Sequence, residues 1–163
     1  MELSSPDVDD YASRLDELLE RYGVVLTKPA PGKLAEILEA DDGSLSFELI
    51  GSLPGGRKPA LSTIEIRERF HLIEGDRFER VGYVYELLDH ERDFRRAFHL
   101  HDPKWFEHTY LVLVHEHCER PVKHAACAHY HGLPVRDGYA GVVALIHAWT
   151  DEPPVCSRLR CLE

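Results

Sequence analysis

Two long alternating segments joined by a three-residue connection constrain the fold more than any other feature. Residues 61–73 and 77–88 alternate between apolar and polar side chains, and Glu74-Gly75-Asp76 separates them. Alternation of this kind is typical of β-strands with one buried face, and a short Gly-containing connection is typical of a hairpin. If Glu74 pairs with Arg77, both strands contribute to one apolar face, which contains Ile64, Ile66, Phe70, Leu72, Val81, Tyr83, Tyr85 and Leu87. We therefore predict an antiparallel hairpin in this register.

A third strand at 93–101 extends the hairpin into a meander. A turn near His90 would pair Leu88 with Asp93 and add Phe94, Phe98 and Leu100 to the apolar face. Alternation assigns the opposite face to Glu65, Arg67, Arg69, His71, Arg80, Gly82, Val84, Glu86, Arg95, Ala97, His99 and His101. This face is either the solvated side of the sheet or an anion-binding surface. In the second case guanidinium groups would bind phosphate, and the predicted residues are Arg67, Arg69, Arg80 and Arg95.

Two helices are predicted at the ends of the chain. Residues 7–22 have an amphipathic pattern, with Ser5 as a cap. Residues 137–149, capped by Asp137, carry apolar and small side chains on most sides. Such a helix is buried either on the sheet or in a homodimer interface. We predict an α+β fold: an antiparallel β-meander sheet of four to six strands with an N-terminal and a C-terminal helix packed on it.

A second hairpin is predicted before the meander. Residues 34–38 and 45–50 flank Asp41-Asp42-Gly43, and an Asp-Gly pair favours a tight turn between strands. The alternative is a short helix at 32–40.

Length and charge limit the function classes. The 163 residues suit one domain, 1–163, in which 1–50 forms an acidic region and 60–150 carries the sheet and the candidate site. The net charge of −10 argues against wholesale nucleic-acid binding. The first 50 residues hold twelve acidic and four basic side chains, so the rest is nearly neutral and leaves room for a local basic patch.

Without a secretory signal or an apolar run of about 18 residues, we predict a cytoplasmic protein with no membrane partner. No P-loop or Rossmann motif is present, which predicts no nucleotide cofactor.

Histidines are numerous and are placed in pairs. Eleven occur in the chain, and six of them form three His-x-His motifs: His99 with His101, His115 with His117, and His129 with His131. In a strand, residues i and i+2 project from the same face about 7 Å apart. Each pair therefore presents two imidazoles together.

Two cysteines flank the second and third pairs. Cys118 follows His117, and Cys127 precedes His129 by two residues. Imidazole and thiolate are the usual ligands of zinc, and several imidazoles also suit other divalent metals. We predict zinc or another divalent metal as cofactor, with Cys118, Cys127, His115 and His129 as ligands. Alternatively, the cysteines are small buried residues, and the histidines are ordinary hydrogen-bonded polar residues.

The same histidines could act as acid and base near neutral pH. Arginines would stabilise a pentacovalent phosphate, one imidazole would take the 2′-hydroxyl proton of RNA, and another would protonate the leaving oxygen. The predicted catalytic residues are His99, His101, His115, His117, His129 and His131.

The order of these elements resembles a known family. A meander of Tyr- and Arg-bearing strands precedes Phe98-His99-Leu100-His101-Asp102, then a distal His-rich motif, then a hydrophobic terminal helix. Over about residues 60–150 this arrangement is similar to the TumE-type toxins of bacterial toxin–antitoxin pairs. The resemblance implies RNA as the target and an antitoxin protein as a neutralising partner. The predicted function is a toxin-like ribonuclease or phosphodiesterase, which is a hydrolase. The alternative is a non-catalytic, zinc-stabilised protein-interaction module.

Overall fold

The computed structural model describes residues 2–27, 36–54, 62–101, 113–119, 128–130 and 133–151. The helices within these ranges are α1 (Ser5–Arg21) and α2 (Gly138–Thr150). The strands are β1 (Glu2–Ser4), β2 (Val25–Leu26), β3 (Glu36–Glu39), β4 (Leu45–Ser52), β5 (Ser62–Glu74), β6 (Arg77–Asp89), β7 (Phe94–Leu100), β8 (Val114–Glu119) and β9 (Ala128–Tyr130).

All described strands belong to one antiparallel sheet. Seven follow the order β2-β4-β5-β6-β7-β8-β9, while β1 pairs with β6 and β3 pairs with β4. The predicted α+β class, with a helix near each end of the chain, is confirmed. The nine described strands exceed the four to six predicted because β1, β2 and β9, of two or three residues each, were not predicted.

The β5–β6 hairpin follows the predicted register over most of its length. Ser62 pairs with Asp89, and Glu74 pairs with Arg77. A β-bulge interrupts the register at Arg69/Phe70, so Phe70 pairs with Arg80 rather than with Val81. A one-residue shift moves side chains to the other face of a sheet. The prediction that Arg80 lies on the polar face is therefore wrong: Arg80 is buried on the core side, only 8% exposed.

The β6–β7 connection is longer than predicted. Leu88 pairs with Arg95 instead of Asp93, and Asp93 adopts a left-handed conformation with φ 54° in the turn. This register differs from the prediction by two residues, and the side-chain period of a strand is also two. Phe94 and Phe98 therefore remain on the core face, as predicted.

The hairpin before the meander is confirmed. β3 and β4 pair antiparallel around a turn in which Gly43 has φ +74°. The amide of Gly43 donates to the carbonyl of Ala40 at 2.8 Å. The alternative helix does not form over residues 36–39, which are a strand.

Both helices pack on the same face of the sheet. α1 and α2 contribute buried side chains to the core, which they share with β4 to β7: Val8, Tyr11, Leu15, Leu19, Val142, Leu145 and Ile146. A Cβ on Gly141 would lie 2.3 Å from Cδ2 of Tyr85, so only glycine permits this close approach of α2 to β6. The packing leaves the opposite face of the sheet without these helices.

A buried polar network ties the two helices to the sheet. Oε1 of Glu68 accepts hydrogen bonds from the hydroxyl of Tyr11 at 2.9 Å, from Nη1 of Arg80 at 3.3 Å, and from the hydroxyl of Tyr85. Arg80 also donates to the carbonyl of Arg136 at 2.9 Å, just before α2. Burial raises the pKa of Glu68, and the Arg80 guanidinium opposes that shift. Arg80 therefore balances a core carboxylate rather than lining the polar face.

Candidate functional site

The face opposite the helices, which we call the polar sheet face, is organised in rows across the strands. One row consists of successive pairing partners on β4 to β8: Glu48, Arg67, Val84, His99 and His115. Cross-strand partners have Cβ atoms about 4.5–5.5 Å apart. The backbone pairing therefore brings histidines that are distant in sequence into direct contact.

Four imidazoles form a compact group, the histidine cluster, made of His99, His101, His115 and His117. The ring centroid of His99 lies 4.8 Å from those of His115 and His117, and the rings of His101 and His115 are 4.9 Å apart. Nδ1 of His99 lies 3.1 Å from Nε2 of His115. Two of the three predicted His-x-His pairs thus meet at the β7–β8 pairing.

Three members of the cluster could hold a metal ion. One ring nitrogen each from His99, His101 and His115 lies within 4.8 Å of the other two. Burial lowers the pKa of His99 to about 2, and the neighbouring His117, His115 and His101 add to this shift. Burial also lowers the pKa of His101. Neutral imidazole is the form that binds a metal.

The structure separates Cys118 from the histidine cluster. Cys118 is buried and pairs with Arg96, three residues beyond His115 on β8. Side chains three residues apart in a regular strand project from opposite faces. The predicted pairing of Cys118 with His115 in one metal site is therefore not formed, and His99 and His101 stand beside His115 instead.

Three further predicted site residues, Cys127, His129 and His131, are described only in part or not at all. The backbone of His129 is in β9, where it pairs with Glu116. Its side chain, together with Cys127 and His131, lies outside the described residues.

The arginines of the polar sheet face are paired with carboxylates. Arg67 binds Glu48 and Glu65, the second at 2.7 Å. Nη2 of Arg95 lies 2.7 Å from Oε2 of Glu86. Nη2 of Arg69 lies 3.6 Å from Oδ2 of Asp42. The face is thus close to charge balance, in contrast to the excess of basic side chains predicted. The alternation of the meander strands does not reveal this balance, because Asp42 and Glu48 come from the β3–β4 hairpin.

A pocket of about 340 Å³ opens on the polar sheet face beside the histidine cluster. Arg67, Arg69 and His101 line it, together with Gly82 and Val84. Gly82 pairs with Arg69 and contributes no side chain, which leaves space between the arginines and the histidines. Pockets near this size accommodate small ligands. The site therefore combines a potential metal centre with a cavity that carries guanidinium groups.

In the described part of the chain, neither helix has the length and apolar character needed to cross a membrane. Comparison with protein-family models, with curated proteins and with solved structures found no match. The resemblance to TumE-type toxins therefore stays a prediction.

Proposed function

We propose that this protein is a metal-dependent phosphodiesterase that cleaves RNA at the polar sheet face. One observation carries the proposal: ligand nitrogens of His99, His101 and His115 converge beside the pocket that contains Arg67 and Arg69. Three protein ligands leave a coordination position for water or substrate, which is typical of hydrolytic zinc sites. An all-imidazole ligand set favours zinc over magnesium or calcium, which prefer oxygen ligands.

The charge balance of the face gives the metal a second role. Each arginine at the site already has a carboxylate partner, and the whole chain carries a net charge of −10. A phosphodiester therefore gains little attraction from the protein alone. A divalent cation is the largest local charge in such a site, and we expect RNA binding to require it.

Each group at the site has a separate role in the proposed cleavage of RNA. A bound zinc would act as a Lewis acid on a phosphoryl oxygen. His117 lies beside the ligand group without belonging to it; its imidazole takes the 2′-hydroxyl proton as the bond from the 2′-oxygen to phosphorus forms. The bond from phosphorus to the 5′-oxygen breaks, and His117 returns the proton to that oxygen. The products are a 2′,3′-cyclic phosphate and a 5′-hydroxyl end, while Arg67 and Arg69 stabilise the negative charge on the phosphoryl oxygens.

The test is cleavage of a labelled single-stranded RNA by chelator-treated protein with and without added Zn²⁺. We expect cleavage only with metal, a cyclic phosphate end, and an intact strand when the 2′-hydroxyls are replaced by hydrogen. Absence of cleavage with every divalent metal tried would overturn the proposal. Tight zinc binding without cleavage would favour the alternative, a non-catalytic metal-stabilised interaction module.

The toxin role is a proposal that rests on the sequence resemblance. It implies that expression of the protein alone slows bacterial growth and that an antitoxin protein relieves the effect. Growth curves of cells that express wild-type protein or the His101→Ala variant test this, because the variant should be harmless if the harm comes from RNA cleavage.

A further inference from the structure

His99 uses only one of its two ring nitrogens within the histidine cluster. Nδ1 faces Nε2 of His115 at 3.1 Å. The other nitrogen, Nε2, is buried and has no hydrogen-bond partner in the described part of the chain. It faces Glu86, whose Oε2 lies 3.9 Å away. A carboxylate this close to a buried ring nitrogen can influence whether that nitrogen carries a proton.

Glu86 is held in place by its own contacts. Nη2 of Arg95 donates to Oε2 of Glu86 at 2.7 Å. Glu86 pairs across the sheet with Ala97, which lies between Arg95 and His99 on β7 and is 0% exposed. Because alanine has no side chain beyond Cβ, the Glu86 carboxylate can reach over it toward both neighbours.

We infer that Glu86 is the positioning residue of the metal site: its carboxylate, 3.9 Å from Nε2 of His99, favours the tautomer that carries the proton on that nitrogen and so leaves the Nδ1 lone pair facing His115. A neutral imidazole carries a proton on only one nitrogen, and the group that faces one nitrogen decides the role of the other. In the opposite tautomer a lone pair and a carboxylate would face each other in a buried location. In metal sites, the second N–H of a ligating histidine commonly faces a carboxylate.

The arrangement prepares His99 before any metal binds. With the proton on Nε2, Nδ1 of His99 can accept a hydrogen bond from His115 Nε2 in the metal-free protein and can coordinate a cation without a change of tautomer. The consequence for metal affinity rests on the proposed function, whereas the tautomer of His99 does not. Loss of an outer carboxylate typically weakens metal binding about 10–100-fold.

The first measurement is the Zn²⁺ dissociation constant of Glu86→Ala, obtained by competition with a chromophoric chelator. We expect a 10–100-fold weakening and a smaller loss for Glu86→Gln, whose amide oxygen can still face the Nε2 proton. The matched control is Glu65→Gln. Glu65 is the cross-strand partner of Glu86 and carries the same charge, but it binds Arg67. Equal weakening by Glu65→Gln and Glu86→Ala would mean that charge alone matters and would overturn the inference.

The second measurement reads the tautomer directly in metal-free protein, from two-bond ¹H–¹⁵N NMR correlations of the His99 ring. We expect the Nε2–H form in wild type and in Glu65→Gln, and a mixture of tautomers in Glu86→Ala, with the fold checked by thermal denaturation. An Nδ1–H form in wild type, or an unchanged tautomer in Glu86→Ala, would contradict the inference. If wild type binds no zinc, the proposed function fails, and the tautomer still decides the role of Glu86.

Discussion

Single imidazoles of the histidine cluster have separate roles in the proposed site, so substitutions can distinguish them. His101→Ala removes a ligand, and we expect it to lose both zinc and RNA cleavage. His117→Ala removes the proton acceptor, and we expect normal zinc content with cleavage slowed about 10²–10⁴-fold. Both variants should melt within a few degrees of wild type. The control is His147→Ala, because His147 is exposed on α2. Full activity in His117→Ala would contradict the proposal that His117 transfers the proton.

Cys118 distinguishes the enzyme from the interaction module. Its thiol is buried on the face of β8 opposite His115. We expect Cys118→Ala to keep its zinc and to lose about 1 kcal/mol of unfolding free energy, which is the usual cost of a small cavity. Metal content and urea denaturation measure the two quantities. Loss of zinc together with a large loss of stability would instead support a structural site that includes this cysteine.

The histidine pairs could be predicted from the sequence, but the contact between the first and second pairs could not. The spacing of His99 and His101 on one face follows from strand geometry alone. The contact between His99 and His115 depends on the β7–β8 register, and the segment between Leu100 and Val114 is too long for a tight turn to set that register. The role inferred for Glu86 was equally hidden, since it depends on the small size of Ala97 between two longer side chains.

Among the secondary-structure elements, the bulge in the β5–β6 hairpin determines which face of the sheet Arg80 occupies. Because of the bulge, the Arg80 side chain lies in the core, where it binds Glu68. We expect Arg80→Ala to destabilise the fold by about 3–5 kcal/mol, because it leaves a buried carboxylate uncompensated. Urea denaturation measures this. The control Arg14→Ala removes an exposed pair with Asp10 and should change stability by less than about 1 kcal/mol. A similarly small effect of Arg80→Ala would contradict the assigned role.

Asp89 joins three elements at the end of β6. It accepts hydrogen bonds from Ser62 Oγ and from Trp149 Nε1 on α2, each at 2.9 Å. Burial raises the pKa of Asp89, but bonds from Trp149, Ser62 and Arg92 outweigh it and hold the pKa below the ordinary 3.8. A depressed pKa stabilises the fold above the unfolded value, and this stability is lost as pH falls through the folded value.

We therefore expect Asp89→Asn to cost about 1–3 kcal/mol at pH 7, because its single side-chain oxygen cannot keep every bond. The difference from wild type should shrink as pH falls below 3.8. Denaturation over a pH series measures it, with Asp151→Asn as the exposed control at the same end of α2. A difference that stays constant with pH would show that the charge of Asp89 does not contribute.

The same elements show what a sequence can predict about a sheet. The short β5–β6 turn determines most of the hairpin register. The predicted β6–β7 register was wrong by two residues, but the faces of β7 were still predicted correctly because side chains alternate with a period of two. A bulge breaks the alternation without a local signal. The alternation therefore predicted Arg80 on the polar sheet face, whereas in the structure its side chain lies on the core face.

At the scale of the whole molecule, the helices and the candidate site occupy opposite faces of one sheet. The prediction that α2 is buried on the sheet is confirmed by its contact with Tyr85, and a homodimer through residues 137–149 stays a prediction. The chain is strongly acidic, and the polar sheet face is near charge balance. A bound cation would therefore change the site from neutral to attractive for phosphate.

In the proposed site, imidazoles alone from the polar sheet face hold a divalent metal. X-ray absorption at the zinc edge of the zinc-loaded protein tests it most directly, because zinc–nitrogen and zinc–sulfur distances differ. We expect one zinc per chain with a shell of nitrogen ligands at about 2.0 Å and an imidazole scattering pattern. A sulfur shell at about 2.3 Å, or failure to bind zinc at all, would contradict an all-imidazole site.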